Sequence, residues 1–403
     1  MSKVMWTKNA LPKTDDRYLS LMDTAAVESA QTFHRSFPEY AVTPLQQLNG
    51  FAKELGLGGL YVKDESYRFG LNAFKVLGGS FAIGKFVAGQ LGRNISEVDY
   101  AFLTSEYFKS SFAPCTFFTA TDGNHGRGVA WAANRLGQKA VVLMPKGTVR
   151  SRYENIKKLG ADVTIEKLNY DDCVRKAALL SSQIPASVVV QDTAWEGYEE
   201  IPAHIMQGYG TLIAEAIDQM GQNGVVPTHV FVQAGVGSLA ATVQGYLINR
   251  FPESAPKVVV MECRAADCFY RSAVARDGKA QAVGGALNSI MAGLCCGEAS
   301  PIAWDILKNH VTAFCSCDDS VSAAGMRRLS SPVGGDPRII SGESGAVGMG
   351  LIDLICRSAD YVGLRDALGL DAASQVLLIS TEGDTDPERY RAIVWDGAFP
   401  SAD

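Results

Sequence analysis

The sequence predicts an α/β protein built on open, twisted, mostly parallel sheets flanked by helices. Two observations lead to this. Short β-rich runs alternate with helix-periodic stretches through the middle of the chain, and glycine or proline punctuates many of the joins. A third observation is bulk: 403 residues at 47% hydrophobic and 20% charged supply core for two or three domain-sized units.

"CTFFTAT" (115–121) reads as a strand, and "DGNHGRGVAWAANRLG" turns through glycines into a helix. "AVVLMP" returns as a strand ended by Pro145, "VRSRYENIKKLG" is a helix stopped by Gly160, and "ADVTIE" is the next strand. "YDDCVRKAALLSSQ" is amphipathic, and "ASVVVQD" closes the block, so residues 91–187 form a small α/β domain. A second series follows: a helix from about Ile201 to Met220, strand "HVFVQAG", helix "SLAATVQGYLIN", strand "PKVVVMEC" and a last strand in "SQVLLISTEG". These elements, with the residues before the small block, make a discontinuous large domain of 1–90 and 188–403. The Gly- and Ser-rich "SPVGGDPRIISGESGAVGMG" (331–350) is expected to be a loop over the sheet, anchored by Ile339, Ile340 and Val347.

Composition excludes several function classes. A net charge of −6 with scattered Lys and Arg lacks the basic excess that a nucleic-acid backbone requires. No apolar run approaches the roughly 20 residues of a spanning helix, and "MSKVMWTKNALPKTDDRYLS" has no signal-peptide core, which reads as a cytoplasmic protein without a membrane partner. Nine cysteines fit buried thiols in that compartment. "CRAADC" (Cys263, Cys268) and "CC" (Cys295, Cys296) leave a bridge such as Cys268–Cys295 open. A metal site is the weaker alternative, because no C-x₂-C spacing or nearby histidine supports it.

Chemistry concentrates in four places. Lys75 lies in the apolar "LNAFKVLGG", where an unpaired ammonium is costly, so it must reach water, pair with a carboxylate or carry a covalent bond. "ATDGNHGRG" (120–128) is a strand-to-helix turn whose N–H groups suit an anion such as a carboxylate. "QAGVGSLAA" (233–241) is a second such turn, of a size for a phosphate, although it lacks the full G-x-G-x-x-G fingerprint. "LLISTEGDTD" sets Ser380 and Thr381 at a strand end. Singly each has a plain structural reading: Asp122 can cap a helix, His125 can satisfy a turn, and the two hydroxyls can satisfy backbone. Together, in this order, they are the parts that pyridoxal phosphate requires.

On these residues the chain, from about Thr43 to "STEGDTD", resembles the fold-type II pyridoxal-phosphate enzymes, a family that includes tryptophan synthase beta subunits, serine/threonine dehydratases and cysteine synthases. The resemblance implies a cofactor held between two domains, with Lys75 as its Schiff-base lysine and Asn124 on its phenolic oxygen. Gly235, Val236, Gly237, Ser238 and Leu239 then form the phosphate turn. Ser380 takes the ring nitrogen, with Thr381 as the neighbouring candidate. A hydroxyl there, in place of a carboxylate, leaves the ring closer to neutral and favours expulsion of a β-substituent over racemisation or transamination.

Within that family, "ESYRFGLNAFKVLGGSFA", "TDGNHGRGVAWAA", "QDTAWEGYEEIP", "MQGYGTL", "IMAGL" and "STEGDTDPERY" resemble the diaminopropionate ammonia-lyases. Asp122 is the informative departure from the dehydratases, many of which have a small neutral residue there. The resemblance implies elimination of both amino groups of 2,3-diaminopropionate, giving pyruvate and two ammonia. The substrate is held by Thr121, Asp122, Gly123 and His125, with Lys75 as base for the L-isomer and Asp122 for the D-isomer. Asp192 either grips an amino group or caps a helix. The rivals are a serine/threonine dehydratase, a β-replacement enzyme, and a non-catalytic binding module on the same fold. Relatives of this fold are commonly dimers, so a homodimer is expected.

Overall fold

The computed structural model describes residues 2–400. Its strands are β1 (Val4–Lys8), β2 (Leu45–Gln47), β3 (Gly59–Asp64), β4 (Thr116–Ala120), β5 (Lys139–Met144), β6 (Asp162–Ile165), β7 (Ser187–Val189), β8 (His229–Gln233), β9 (Lys257–Cys263), β10 (Ala313–Cys317) and β11 (Gln375–Ser380). They build a seven-stranded sheet ordered β1-β10-β9-β8-β11-β3-β2 and a four-stranded sheet ordered β6-β5-β4-β7. The small sheet is parallel throughout, and in the large one only the edge strands β1 and β2 run antiparallel. Strands covered on both faces need apolar side chains in both directions, and β8 and β10 are buried along their whole length. The mostly parallel, helix-flanked fold expected from the sequence is the one observed.

Because the interior strands are parallel, the carboxyl ends of β8 and β11 open on the same side of the large sheet, where open α/β sheets bind their ligands. The Val76–Gln90 helix runs against both the Asn124–Arg135 and the Glu200–Gln222 helices. A glycine makes the first contact possible: a Cβ on Gly128 would lie 2.7 Å from the Cα of Val76. The residue after Lys75 is thereby locked to the helix that follows β4.

The expectation of a loop over 331–350 is corrected in its second half: Glu343–Arg357 is a helix. The glycines that suggested a loop are there for packing. This helix lies backbone to backbone on the Asp319–Ser330 helix, so a Cβ on Gly350 would meet the Val321 carbonyl oxygen at 1.8 Å, and one on Gly325 would meet that of Ala346 at 2.0 Å. A helical carbonyl cannot step aside, so Gly350→Ala is expected to destabilise the fold by about 1–3 kcal/mol. A lower urea midpoint with an unchanged slope would register it.

All nine cysteines carry free thiols, and Cys263, Cys268 and Cys296 are buried. Among the described residues no group of three or more His, Cys, Asp or Glu side chains is arranged to hold a metal ion.

Candidate active site

Lys75 is delivered by a strained segment. Phe69 and Asn72, neither of them glycine, take positive φ of 51° and 57°, on either side of Gly70. Side-chain and backbone bonds hold that conformation. Arg68 is buried against Glu65 and Glu215, the Asn72 carbonyl accepts from Gly383 N–H at 3.1 Å, and Phe74 N–H donates to the Thr381 carbonyl at 3.1 Å. The segments around Lys75 and Thr381, far apart in sequence, are therefore stitched into one wall.

The Lys75 side chain, 18% exposed, donates to Asp192 Oδ2 at 2.6 Å. Asp192 caps no helix. It also receives the phenols of Tyr170 at 3.3 Å on Oδ1 and Tyr209 at 3.4 Å on Oδ2. Burial works against both charges of the pair, yet Asp192 holds the Lys75 amine above its ordinary range, and Lys75 holds the Asp192 carboxyl well below its own. Without cofactor, Lys75 is a paired ammonium.

The turn after β8 lines the same cavity as this pair. Phe74, Lys75, Asn124, Asp192, Tyr209 and Thr381 line the cavity together with Gly235, Val236, Gly237, Ser238 and Leu239. Among the described residues, none of the backbone N–H groups of those five turn residues donates to a backbone carbonyl. Five free donors at the start of the Ser238–Arg250 helix form a cradle for a dianionic group, and an amine stands opposite to bond an aldehyde. These residues fit pyridoxal phosphate. Ser238 Oγ donates to the Asp192 carbonyl, tying the cradle to the lysine's partner.

Asn124 begins the helix after β4 and donates through Nδ2 to Glu382, whose other oxygen accepts from Ser344 N–H at 3.2 Å. Of the two hydroxyls at the end of β11, Thr381 lines the cavity and accepts from Gln233 Nε2 at 2.9 Å, whereas Ser380 donates to Ser341 Oγ at 2.8 Å and lies outside the lining. In the turn after β4, Thr121 Oγ1 accepts from Gly123 N–H at 2.9 Å. His125 Nε2 sits 2.8 Å from the Val190 carbonyl, which can only accept, so the proton is on Nε2 and Nδ1 is left bare, 3.9 Å from Asp192 Oδ2. Burial, more than the competing charges, lowers its basicity and keeps the ring neutral.

Asp122 stands one step back from the cavity. It lines an adjoining vestibule with Lys146, Arg152, Cys295 and Arg389, and meets Arg152 Nη1 at 3.3 Å. The partition is thin: Gly293 lines the Lys75 cavity, and a Cβ placed on it would be 3.5 Å from Asp122 Oδ2. Of the predicted site residues, Lys75, Asn124, Asp192 and Gly235 to Leu239 line the cavity, Thr121, Gly123 and His125 stand behind it at the turn after β4, Asp122 of the same turn lines the vestibule, and Ser380 lies outside the cavity lining. Tyr209 and Glu382 in the cavity lining, and Arg152 and Tyr170 in that of the vestibule, are residues that the sequence reading did not single out. Tyr209 and Glu382 lie within quoted motifs, "MQGYGTL" and "STEGDTDPERY", whereas nothing in the sequence near Arg152 or Tyr170 marks them.

The family model of pyridoxal-phosphate dependent enzymes matches residues 37–363. This chain belongs to that family. Within it, the diaminopropionate ammonia-lyase of Salmonella typhimurium is 50% identical over 381 residues, covering 94% of each chain. The crystal structure of diaminopropionate ammonia-lyase from Escherichia coli in complex with D-serine superposes with a TM-score of 0.93 at 45% identity, covering 99% of both chains. The chain thus falls in the diaminopropionate ammonia-lyase branch of the pyridoxal-phosphate dependent enzymes. An L-threonine dehydratase of Haemophilus influenzae is more distant, 27% identical over 239 residues and 58% of this chain.

Proposed function

We propose that this enzyme eliminates both amino groups of 2,3-diaminopropionate, as the L- or the D-isomer, consuming one water and giving pyruvate and two ammonia. The observation that carries the reading is the Lys75 amine facing five unpaired turn N–H groups, with a second acid, Asp122, behind the thin partition at Gly293. Lys75 would hold pyridoxal phosphate, the turn Gly235 to Leu239 its phosphate, and Asn124 its phenolic oxygen. Thr381 is favoured over Ser380 for the ring nitrogen because Thr381 lines the cavity. When bound, the cofactor draws off the electron pair left at Cα.

The residues of the chain do the rest. Thr121, Gly123 and His125 present a helix N-terminus to the substrate carboxylate, and Asp192 grips the β-ammonium in place of Lys75. Lys75, released as a free amine, takes the Cα proton of the L-isomer. In the D-isomer that proton points to the opposite face, where Asp122 takes it. The Cβ–N bond then breaks with its electrons going to nitrogen, ammonia leaves, and the released 2-aminoacrylate hydrolyses to pyruvate and the second ammonia.

The test is pyruvate formation by the purified holoenzyme. 2,3-Diaminopropionate should exceed serine and threonine in kcat/KM by at least about tenfold, whereas a serine-dominated activity would make this a dehydratase. Amino-acid products formed with added thiol would make it a β-replacement enzyme. The same reading includes a cytoplasmic homodimer. Among the described residues no helix is long and apolar enough to cross a membrane. Light scattering that gave a monomer mass would end the dimer proposal.

A further inference from the structure

We propose that Arg152 is a positioning residue for Asp122: it holds the carboxylate in place beside Gly293, and through it sets the activity on the D-isomer relative to the L-isomer. This rests on the reading that Asp122 takes the D-isomer's proton. Arg152 comes from the Arg150–Lys157 helix and is only 8% exposed, so its charge must be compensated inside the protein. Among the described residues, its sole side-chain hydrogen bond is the 3.3 Å contact with Asp122, and its Nε, also buried, has no acceptor. Three further carboxylates, Glu343, Glu382 and Asp386, act on it from the large-sheet side. Arg389 shares this cluster, 3.9 Å from Asp386, and Asp122 is the acid that Arg152 touches.

The other groups facing Asp122 cannot substitute for that cation. Lys75 acts on it at longer range but gives up its proton in the reaction. His125 is neutral through burial, as are the Tyr170 phenol and the Cys296 thiol; the Cys295 thiol is kept protonated by its hydrogen bond with the Cys263 thiol and by burial. Lys146 and Arg389 line the vestibule without a hydrogen bond to Asp122. Among the described residues, Arg152 is the permanent cation within hydrogen-bond reach of this carboxylate, and an arginine does not deprotonate in proteins.

The experiment compares the holoenzyme with Arg152→Gln and Arg152→Lys, measuring kcat/KM for both isomers. Loss of the guanidinium should lower the D-isomer value about 10- to 100-fold and leave the L-isomer within about threefold. Arg152→Lys should recover part of the D activity, and added guanidinium should rescue Arg152→Gln. Equal loss on both isomers, or no rescue by either route, would overturn the proposal. Asp122→Asn separates the two layers. If that variant keeps its D activity, the base assignment has failed. If it loses D activity while Arg152→Gln keeps the wild-type D to L ratio, only the role of Arg152 has failed.

Discussion

Replacing Lys75 with alanine is expected to abolish pyruvate formation from 2,3-diaminopropionate, lowering kcat by at least about 10³-fold, and also to weaken the folded protein. The first effect is chemical: among the described residues, no other lysine lines the cavity that the Gly235 to Leu239 turn shares. The second is electrostatic. Asp192 is 1% exposed, and without Lys75 it keeps only the Tyr170 and Tyr209 phenols, at 3.3 and 3.4 Å, and a 3.3 Å contact from Gln191. Removing one partner of a buried pair costs about 3–5 kcal/mol, here reduced because Lys75 itself is partly exposed. The double variant Lys75→Ala with Asp192→Asn should therefore regain stability while staying inactive. Denaturant midpoints and pyruvate assays on the two variants test both halves. Borohydride-trapped cofactor found on another lysine would remove the basis of the whole assignment.

Much of this site was legible because its signals are local. A strand that ends in a glycine turn and opens a helix can be read from a dozen consecutive residues, as for Thr116–Gly126 and His229–Leu239. Lys75 announced itself by being a cation among apolar neighbours. What could not be read is tertiary. β3 buries Lys63 and Asp64, which break any apolar pattern: Asp64 caps the turn that follows, and Lys63 makes sense only beside Glu215 on a distant helix. β1 and β2 are short edge strands with polar residues, recognisable only from their partners. The Glu343–Arg357 helix was hidden by glycines whose reason is another helix's backbone. Arg152 has no sequence signal, because an arginine on an amphipathic helix is ordinarily solvated, and its partner Asp122 lies 30 residues away, beyond the Asn124–Arg135 helix and β5. The choice between Ser380 and Thr381 likewise turns on which hydroxyl Ser341 takes.

Glu215→Ala is expected to be among the most destabilising single changes in the protein, by about 3–5 kcal/mol, and to impair catalysis before it unfolds the chain. Glu215 accepts from Lys63 Nζ at 2.8 Å and from Arg68 Nη2 at 2.7 Å, and both cations are fully buried. With Glu65 the cluster is neutral: two cations and two carboxylates, further satisfied by the Thr43 carbonyl and by Gln219. Deleting Glu215 leaves one positive charge without compensation in the interior. Arg68 immediately precedes the left-handed Phe69–Asn72 segment that presents Lys75, so loss of its anchor should misplace the lysine and lower kcat in molecules that remain folded. The cluster also carries a pH signature. Burial alone would raise the Glu215 carboxyl, but Arg68 and then Lys63 overcome it and hold it down to about 2. The folded value lies below the unfolded one, so this stabilisation is complete above about pH 4.3 and drains away as the pH falls toward 2. Glu215→Gln, which cannot titrate, should be less stable at neutral pH, with a flatter loss of stability over that acidic window. Urea midpoints measured from pH 6 to 3 would show the two curves converging; parallel curves would mean that the charge of Glu215 contributes nothing beyond its shape.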